Sequence, residues 1–173
     1  VNTIAAYEAG ADRLHATALG IGERAGNCAM DQLLVNLRLL GYWPDDRPLT
    51  GLKDYVAKVA KACRTPVPFN YPVVGSDAFE TGTGVHAAAV IKALKRGDRW
   101  LANRVYSGVP ADEFGFEQRI AVGPMSGKSN VIWWLERHGY AADDALVDRL
   151  FSAAKSADRV LSDAELTSLA AAE

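Results

Sequence analysis

The sequence predicts an α/β fold, on three observations. A strand-like run, Arg13 to Leu19, leads straight into the turn Gly22-Glu23-Arg24-Ala25-Gly26-Asn27, and that turn opens a strongly periodic helix. Strand-like and helical segments keep alternating to about residue 74, the pattern of a layered α/β structure. From about residue 80 the reading is mostly helical, which places a boundary near Asp77 to Gly82. Glycines at a strand-to-helix turn let the backbone approach a ligand closely, and the helix start behind them offers free N–H groups. That edge is where α/β folds build their sites.

Each element has its own signal. Val1 to Ala9 reads as a helix already under way, ended by Gly10, with no initiator Met before it; the chain reads as if it begins in mid-structure. After the glycine turn, a helix is expected from about Ala29 to Leu40, with Met30, Leu33, Leu34, Leu37 and Leu40 on one face. Gly41 ends it, and a polar loop marked by proline runs from Tyr42 to Thr50. A second amphipathic helix follows at about Leu52–Cys63, its buried stripe Leu52, Tyr55, Val56, Val59, Ala60 and Cys63. Pro66 and Pro68 break the chain before a short strand-like piece, Tyr71 to Val74. Gly82-Thr83-Gly84-Val85-His86 then leads into a helix with Val90, Ile91 and Leu94, closed by Gly97. An irregular stretch, Asp98 to Gly115, precedes a brief strand-like Arg119 to Val122. Helices are expected at about 129–138 and 143–159, and Ser162-Asp163-Ala164-Glu165 is a capping box opening the last one.

Composition narrows the field of functions. A length of 173 residues suits one domain with a real core. Nineteen basic residues against twenty-one acidic ones, a net charge of −2, point neither to nucleic acid nor to an acidic membrane surface. Cys28 and Cys63 fall within apolar helical patterns and read as reduced core residues. No apolar run is long enough to span a bilayer, so a soluble cytoplasmic protein is expected.

Several motifs resolve into plainer readings. Gly20-x-Gly22-x-x-x-Gly26 departs by one residue from a dinucleotide fingerprint, and no acidic residue stands at the end of a second strand. Gly123-Pro124-Met125-Ser126-Gly127-Lys128-Ser129 has three residues between its glycines, where a phosphate loop needs four. A turn with Ser126 or Ser129 capping a helix is the better reading. His15 and His138 read as structural or solvated, and Trp133-Trp134 as core or interface. His86 differs, because a titratable ring there follows flexible glycines at a helix start. Tyr106 sits in an irregular loop beside Gly108 and Pro110. Asn27 is by residue type an N-cap; as a metal ligand it would be one oxygen of about six.

The run Thr17-Ala18-Leu19-Gly20-Ile21-Gly22-Glu23-Arg24-Ala25-Gly26-Asn27 closely resembles the signature of the 2-isopropylmalate, homocitrate and citramalate synthase family. The likeness continues in family order through Pro72-Val73-Val74-Gly75-Ser76-Asp77-Ala78-Phe79, Thr83-Gly84-Val85-His86, Tyr106 to Gly115 and Ser126-Gly127-Lys128, and the stretch from Ala157-Asp158 to Leu166 also fits. The resemblance implies the C-terminal portion of a (β/α)8 TIM barrel over residues 1–80, a linker subdomain over 81–117 and a helical subdomain over 118–173. It implies an acyltransferase of the 2-isopropylmalate synthase type in leucine biosynthesis. Such an enzyme condenses acetyl-CoA with a 2-oxo acid, 2-oxoisovalerate, with help from a divalent metal (Mg²⁺, Mn²⁺ or Zn²⁺). On this resemblance His86 and Tyr106 are catalytic, Thr17, Gly22, Glu23 and Arg24 bind substrate, and Asn27 lies at the metal. A homodimer with subdomain exchange is implied as well.

The chain also departs from the family. The Asp-Arg-Glu motif and the His-x-His-Asn-Asp motif are absent, and a whole barrel takes about 250 residues. The expectation is therefore a C-terminal piece that does not catalyse alone. Homocitrate synthase, citramalate synthase and a non-catalytic dimerisation module remain as alternatives.

Overall fold

The protein is described by a computed structural model covering residues 1–172. The chain divides into two compact units: Val1–Phe79 with Val109–Glu117, and Glu80–Gly108 with the chain from Gln118 onward.

The first unit is built on three helices: α1 (Asn2–Glu8), α2 (Met30–Leu39) and α3 (Leu52–Cys63). Gly10, at φ +100°, lies just beyond α1, and Gly41, at φ +76°, just beyond α2. Both take the left-handed conformation that costs glycine little. The core gathers Val35 from α2, Leu52 and Val56 from α3, and Leu49, Val73 and Phe79 from loops. Ala111 and Phe114, both fully buried, join it from the returning segment, where residues Ala111–Phe114 form a 3₁₀ turn.

Two strand expectations in this unit are corrected. Arg13 to Leu19 is not a strand: Thr17 alone forms a parallel bridge, to Ala29, and Ala18–Gly20 is a 3₁₀ turn. A strand persists only where its N–H and C=O groups find a partner ladder, and here only Thr17 finds one. Tyr71 to Val74 folds into turns, with Val74 N–H donating to Pro72 O and Gly75 N–H to Tyr71 O, both at 2.9 Å. Val73 stands at φ +69°, a conformation rare for a β-branched residue. Gly75 is required there, because a Cβ would lie 2.4 Å from Phe69 O.

Helical periodicity also over-assigned burial. On α3 only Leu52 and Val56 are buried, while Tyr55 and Cys63 are exposed. Both cysteines are free but neither is core: Cys28 is half-buried ahead of α2, and Cys63 is the exposed last residue of α3. Leu40 is likewise exposed.

In the second unit β1 (Glu80–Thr81) pairs in parallel with β2 (Arg119–Ile120), Glu80 opposite Arg119. Their side chains form an ion pair at 3.3 Å. Around this sheet run α4 (Gly84–Lys95), α5 (Arg99–Ala102), α6 (Lys128–Arg137), α7 (Asp144–Ser156) and α8 (Asp163–Ala171). Val122, Val131, Trp134, Leu135, Val147, Leu150, Ala154 and Leu166 make its main core. Val90, Ala93 and Ala102 make a smaller one between α4 and α5. The capping box at α8 is present, Ser162 Oγ accepting from Glu165 N–H and the Glu165 carboxylate accepting from Ser162 N–H. None of the described helices is long and apolar enough to cross a membrane.

Candidate active-site elements

The loop from Thr17 to Asn27 is closed by short backbone contacts that only glycine permits. Asn27 N–H donates to Gly20 O at 2.8 Å, and Gly26, at φ +96°, has its missing Cβ only 2.2 Å from that same oxygen. A Cβ at Gly22 would meet Asn27 Nδ2 at 2.2 Å. Thr17 anchors the base of the loop: its N–H donates to Cys28 O, its carbonyl accepts from Met30 N–H, and its hydroxyl donates to Ile21 O at 2.7 Å.

Residues 22–27 of the loop are exposed, while Ala18 is buried and Leu19 packs against the core of the unit. Glu23 and Arg24 pair with each other at 3.0 Å, both more than four-fifths exposed; such a pair adds little to stability. Asn27 does not cap α2. The N-cap is Ala29, and the Asn27 amide instead donates to Ile21 O at 3.1 Å. Because a carbonyl can only accept, this contact orients the amide and leaves Asn27 Oδ1 as its remaining ligand atom.

Beneath the loop lies a residue that sequence reasoning missed. Asp31, fully buried in the first turn of α2, accepts from Leu19 N–H at 2.7 Å through Oδ1. Leu19 itself stands at φ +58°, so the carboxylate fixes a strained point of the chain. Its Oδ2 is buried without a hydrogen bond. Burial, and next the negative charge of Asp31, raise the pKa of the Tyr71 phenol. An acid four residues past Asn27, in the first helical turn, was the available signal.

His86 and Tyr106, twenty positions apart in the sequence, come together in the second unit. Their rings stack at 4.1 Å between centroids with 27° between planes. Both are exposed, His86 in the first turn of α4 and Tyr106 beyond α5. His15 is exposed, and His138 stacks on Trp134 at 4.1 Å with Nδ1 2.8 Å from Trp134 O, a structural role. Trp134 is core; Trp133 is half-buried under the Arg137 guanidinium. Lys128 is paired with Asp148. The predicted residues thus fall in two groups, Thr17 to Asn27 in one unit and His86 with Tyr106 in the other.

A divalent metal does not fit the described residues alone. Among them no three His, Cys, Asp or Glu side chains are arranged to hold an ion, and Asn27 brings one neutral oxygen to a cation that takes about six.

Residues 1–59 match the family model described as HMGL-like. The chain is 33% identical over 138 residues to homocitrate synthase of Frankia alni, covering 80% of this chain and 37% of that protein. It is 35% identical over 147 residues to (R)-citramalate synthase of Aquifex aeolicus, covering 82% and 26%. To 2-isopropylmalate synthase of Sulfolobus acidocaldarius it is 34% identical over 157 residues, covering 90% and 38%. The chain therefore spans about a quarter to two fifths of the length of these curated relatives. With three differently named synthases matched at similar identity along most of its length, the chain belongs to the family of 2-isopropylmalate, homocitrate and citramalate synthases.

Proposed function

We propose that this chain carries part of the active site of an acetyl-CoA-dependent condensing enzyme, with 2-isopropylmalate synthase as the preferred member. In that reaction a base takes a proton from the acetyl methyl group, and the resulting enolate carbon attacks the ketone carbon of a 2-oxo acid. The ketone oxygen ends as a hydroxyl, and hydrolysis of the thioester releases the CoA thiol and a new carboxylate, which makes the sequence irreversible.

His86 and Tyr106 are the proposed acid–base pair. The observation that supports this most is their ring stack, which places an imidazole and a phenol side by side on an exposed surface. Acid–base help of this kind is worth about 10²–10⁴-fold. Thr17, Gly22, Glu23 and Arg24 form the proposed oxo-acid end, where the guanidinium offers a fork suited to a carboxylate. Asn27 is the proposed contribution to a Mg²⁺, Mn²⁺ or Zn²⁺ site whose other ligands these residues do not supply. A homodimer exchanging its helical parts, a cytoplasmic location and inactivity of the chain on its own belong to the same proposal.

Homocitrate and citramalate synthase are equally supported, since their representatives match this chain as well as 2-isopropylmalate synthase does. The test is CoA thiol release from acetyl-CoA by the full-length gene product, with 2-oxoisovalerate, pyruvate and 2-oxoglutarate offered in turn. Release that depends on 2-oxoisovalerate is expected. Preference for another oxo acid would reassign the member, and no release with any would favour the non-catalytic module.

A further inference from the structure

The stretch that superficially looks like a phosphate loop holds the start of the helix that carries His86. Ser126 and Asn130 are 2% and 0% exposed. Asn130 Nδ2 donates to Gly82 O at 3.1 Å and to Ala121 O at 2.9 Å, while its Oδ1 accepts from Gly127 N–H at 3.2 Å. The Ser126 hydroxyl points at Gly82 O, 2.8 Å away, with Ala121 O at 3.2 Å, and accepts from Gly123 N–H at 2.9 Å. Gly82 directly follows β1 and Ala121 directly follows β2. The two side chains therefore take up the carbonyls that the two-stranded sheet leaves unpaired at its end.

The start of α4 depends on this arrangement. Its N-cap, Thr83, makes no side-chain capping bond, so the helix lacks the usual local device for fixing its first turn. Gly84 N–H donates instead to Met125 O at 3.0 Å. Gly84 also packs so closely that a Cβ would lie 2.6 Å from Gly127 N. By contrast, a Cβ at Gly82 would meet nothing within 4 Å. Between β1 and α4 the chain runs Gly82-Thr83-Gly84, and the flexibility of two glycines is restrained from outside, by residues 121–130. His86 lies two residues beyond.

We propose that Ser126 and Asn130 are positioning residues: together with the Met125 carbonyl they latch Gly82 to Gly84 and so set His86 against Tyr106. This rests on the reading of His86 and Tyr106 as the acid–base pair. Neither residue touches substrate in this account; both act through the first turn of α4. Lys128, in the same stretch, is paired with Asp148.

The test compares Ser126→Ala, Gly84→Ala and Gly82→Ala in the whole chain by NMR of the histidine ring protons, with His138 as the internal reference. His138 belongs to the same unit but is held by Trp134 at the far end of α6. In Ser126→Ala and Gly84→Ala the His86 signal should lose the ring-current shift due to Tyr106 while His138 stays in place; Gly82→Ala should leave both unmoved. Gly84→Ala removes no buried hydrogen bond, so it decides the matter if Ser126→Ala does not fold. An unmoved His86 signal in Gly84→Ala, or His86 and His138 shifting together, would overturn the latch. In the full-length enzyme, Ser126→Ala should lower kcat on the order of 10²-fold with KM little changed, the usual scale for displacing a catalytic group by about 1 Å. If the NMR shifts appear but His86→Gln leaves turnover intact, the latch stands and the acid–base reading falls.

Discussion

Gly26 and Asp31 hold the same loop by opposite means, one by what it lacks and the other by what it accepts. Gly26 combines φ +96° with a virtual Cβ 2.2 Å from a carbonyl oxygen, so Gly26→Ala should cost about 1–3 kcal/mol for the backbone conformation alone. Urea unfolding of the chain measures this, and an unchanged midpoint would refute the close contact. Asp31→Ala removes the acceptor of Leu19 N–H and should cost about 1–3 kcal/mol for the unmade bond. Asp31→Asn keeps an acceptor oxygen but removes the charge that helps raise the Tyr71 pKa. A raised phenol pKa means the folded state favours the neutral ring, a stabilisation present below the ordinary phenol pKa and lost as pH rises through the raised one. In Asp31→Asn the Tyr71 titration, followed by phenolate absorbance, should move down toward the ordinary range. Gly22 to Asn27 were legible in the sequence because glycine spacing is local. Asp31 was not, because a carboxylate at a helix start looks the same whether it serves the helix or, as here, a backbone N–H twelve residues away.

Among elements, helices were read well, while of the strand expectations only Arg119 to Val122 holds a strand, β2 at Arg119–Ile120, and the others fail for a physical reason. A helix closes its hydrogen bonds within its own segment, so Leu52–Cys63 and the box at Ser162 to Glu165 are visible locally. A strand depends on a partner elsewhere, and Arg13 to Leu19 finds only the bridge at Thr17. The box at α8 also makes a pH prediction. The Arg159 guanidinium, bonded to Glu165 at 2.7 and 3.0 Å, and then the Ser162 backbone hold the Glu165 carboxyl well below the usual range. The folded state thus binds fewer protons there than the unfolded one, so this contribution is present above the ordinary carboxylate pKa and fades as pH falls below it. Wild type should lose stability faster than Glu165→Gln between about pH 5 and pH 3, as followed by thermal melts; parallel curves would contradict this. Ser162→Ala should cost about 1 kcal/mol at neutral pH.

At the scale of the whole molecule, residues 109–117 leave the helical part and return to the core of the first unit, where Phe114 is fully buried. Nothing in that irregular stretch revealed its destination, since its contacts are with Leu49, Leu52 and their neighbours far earlier in the chain. Phe114→Ala should cost about 3–5 kcal/mol, and hydrogen exchange should show the loss in α2 and α3 before α6 and α7. Uniform loss across both units would contradict that placement. His86 and Tyr106 are proposed as the acid–base pair of a condensing reaction, in a chain that spans about a quarter to two fifths of the length of its curated relatives. The most direct measurement is kcat for CoA release in the full-length gene product with His86→Gln. A fall of about 10²–10⁴-fold with the fold intact is expected, and turnover equal to wild type would contradict the claim.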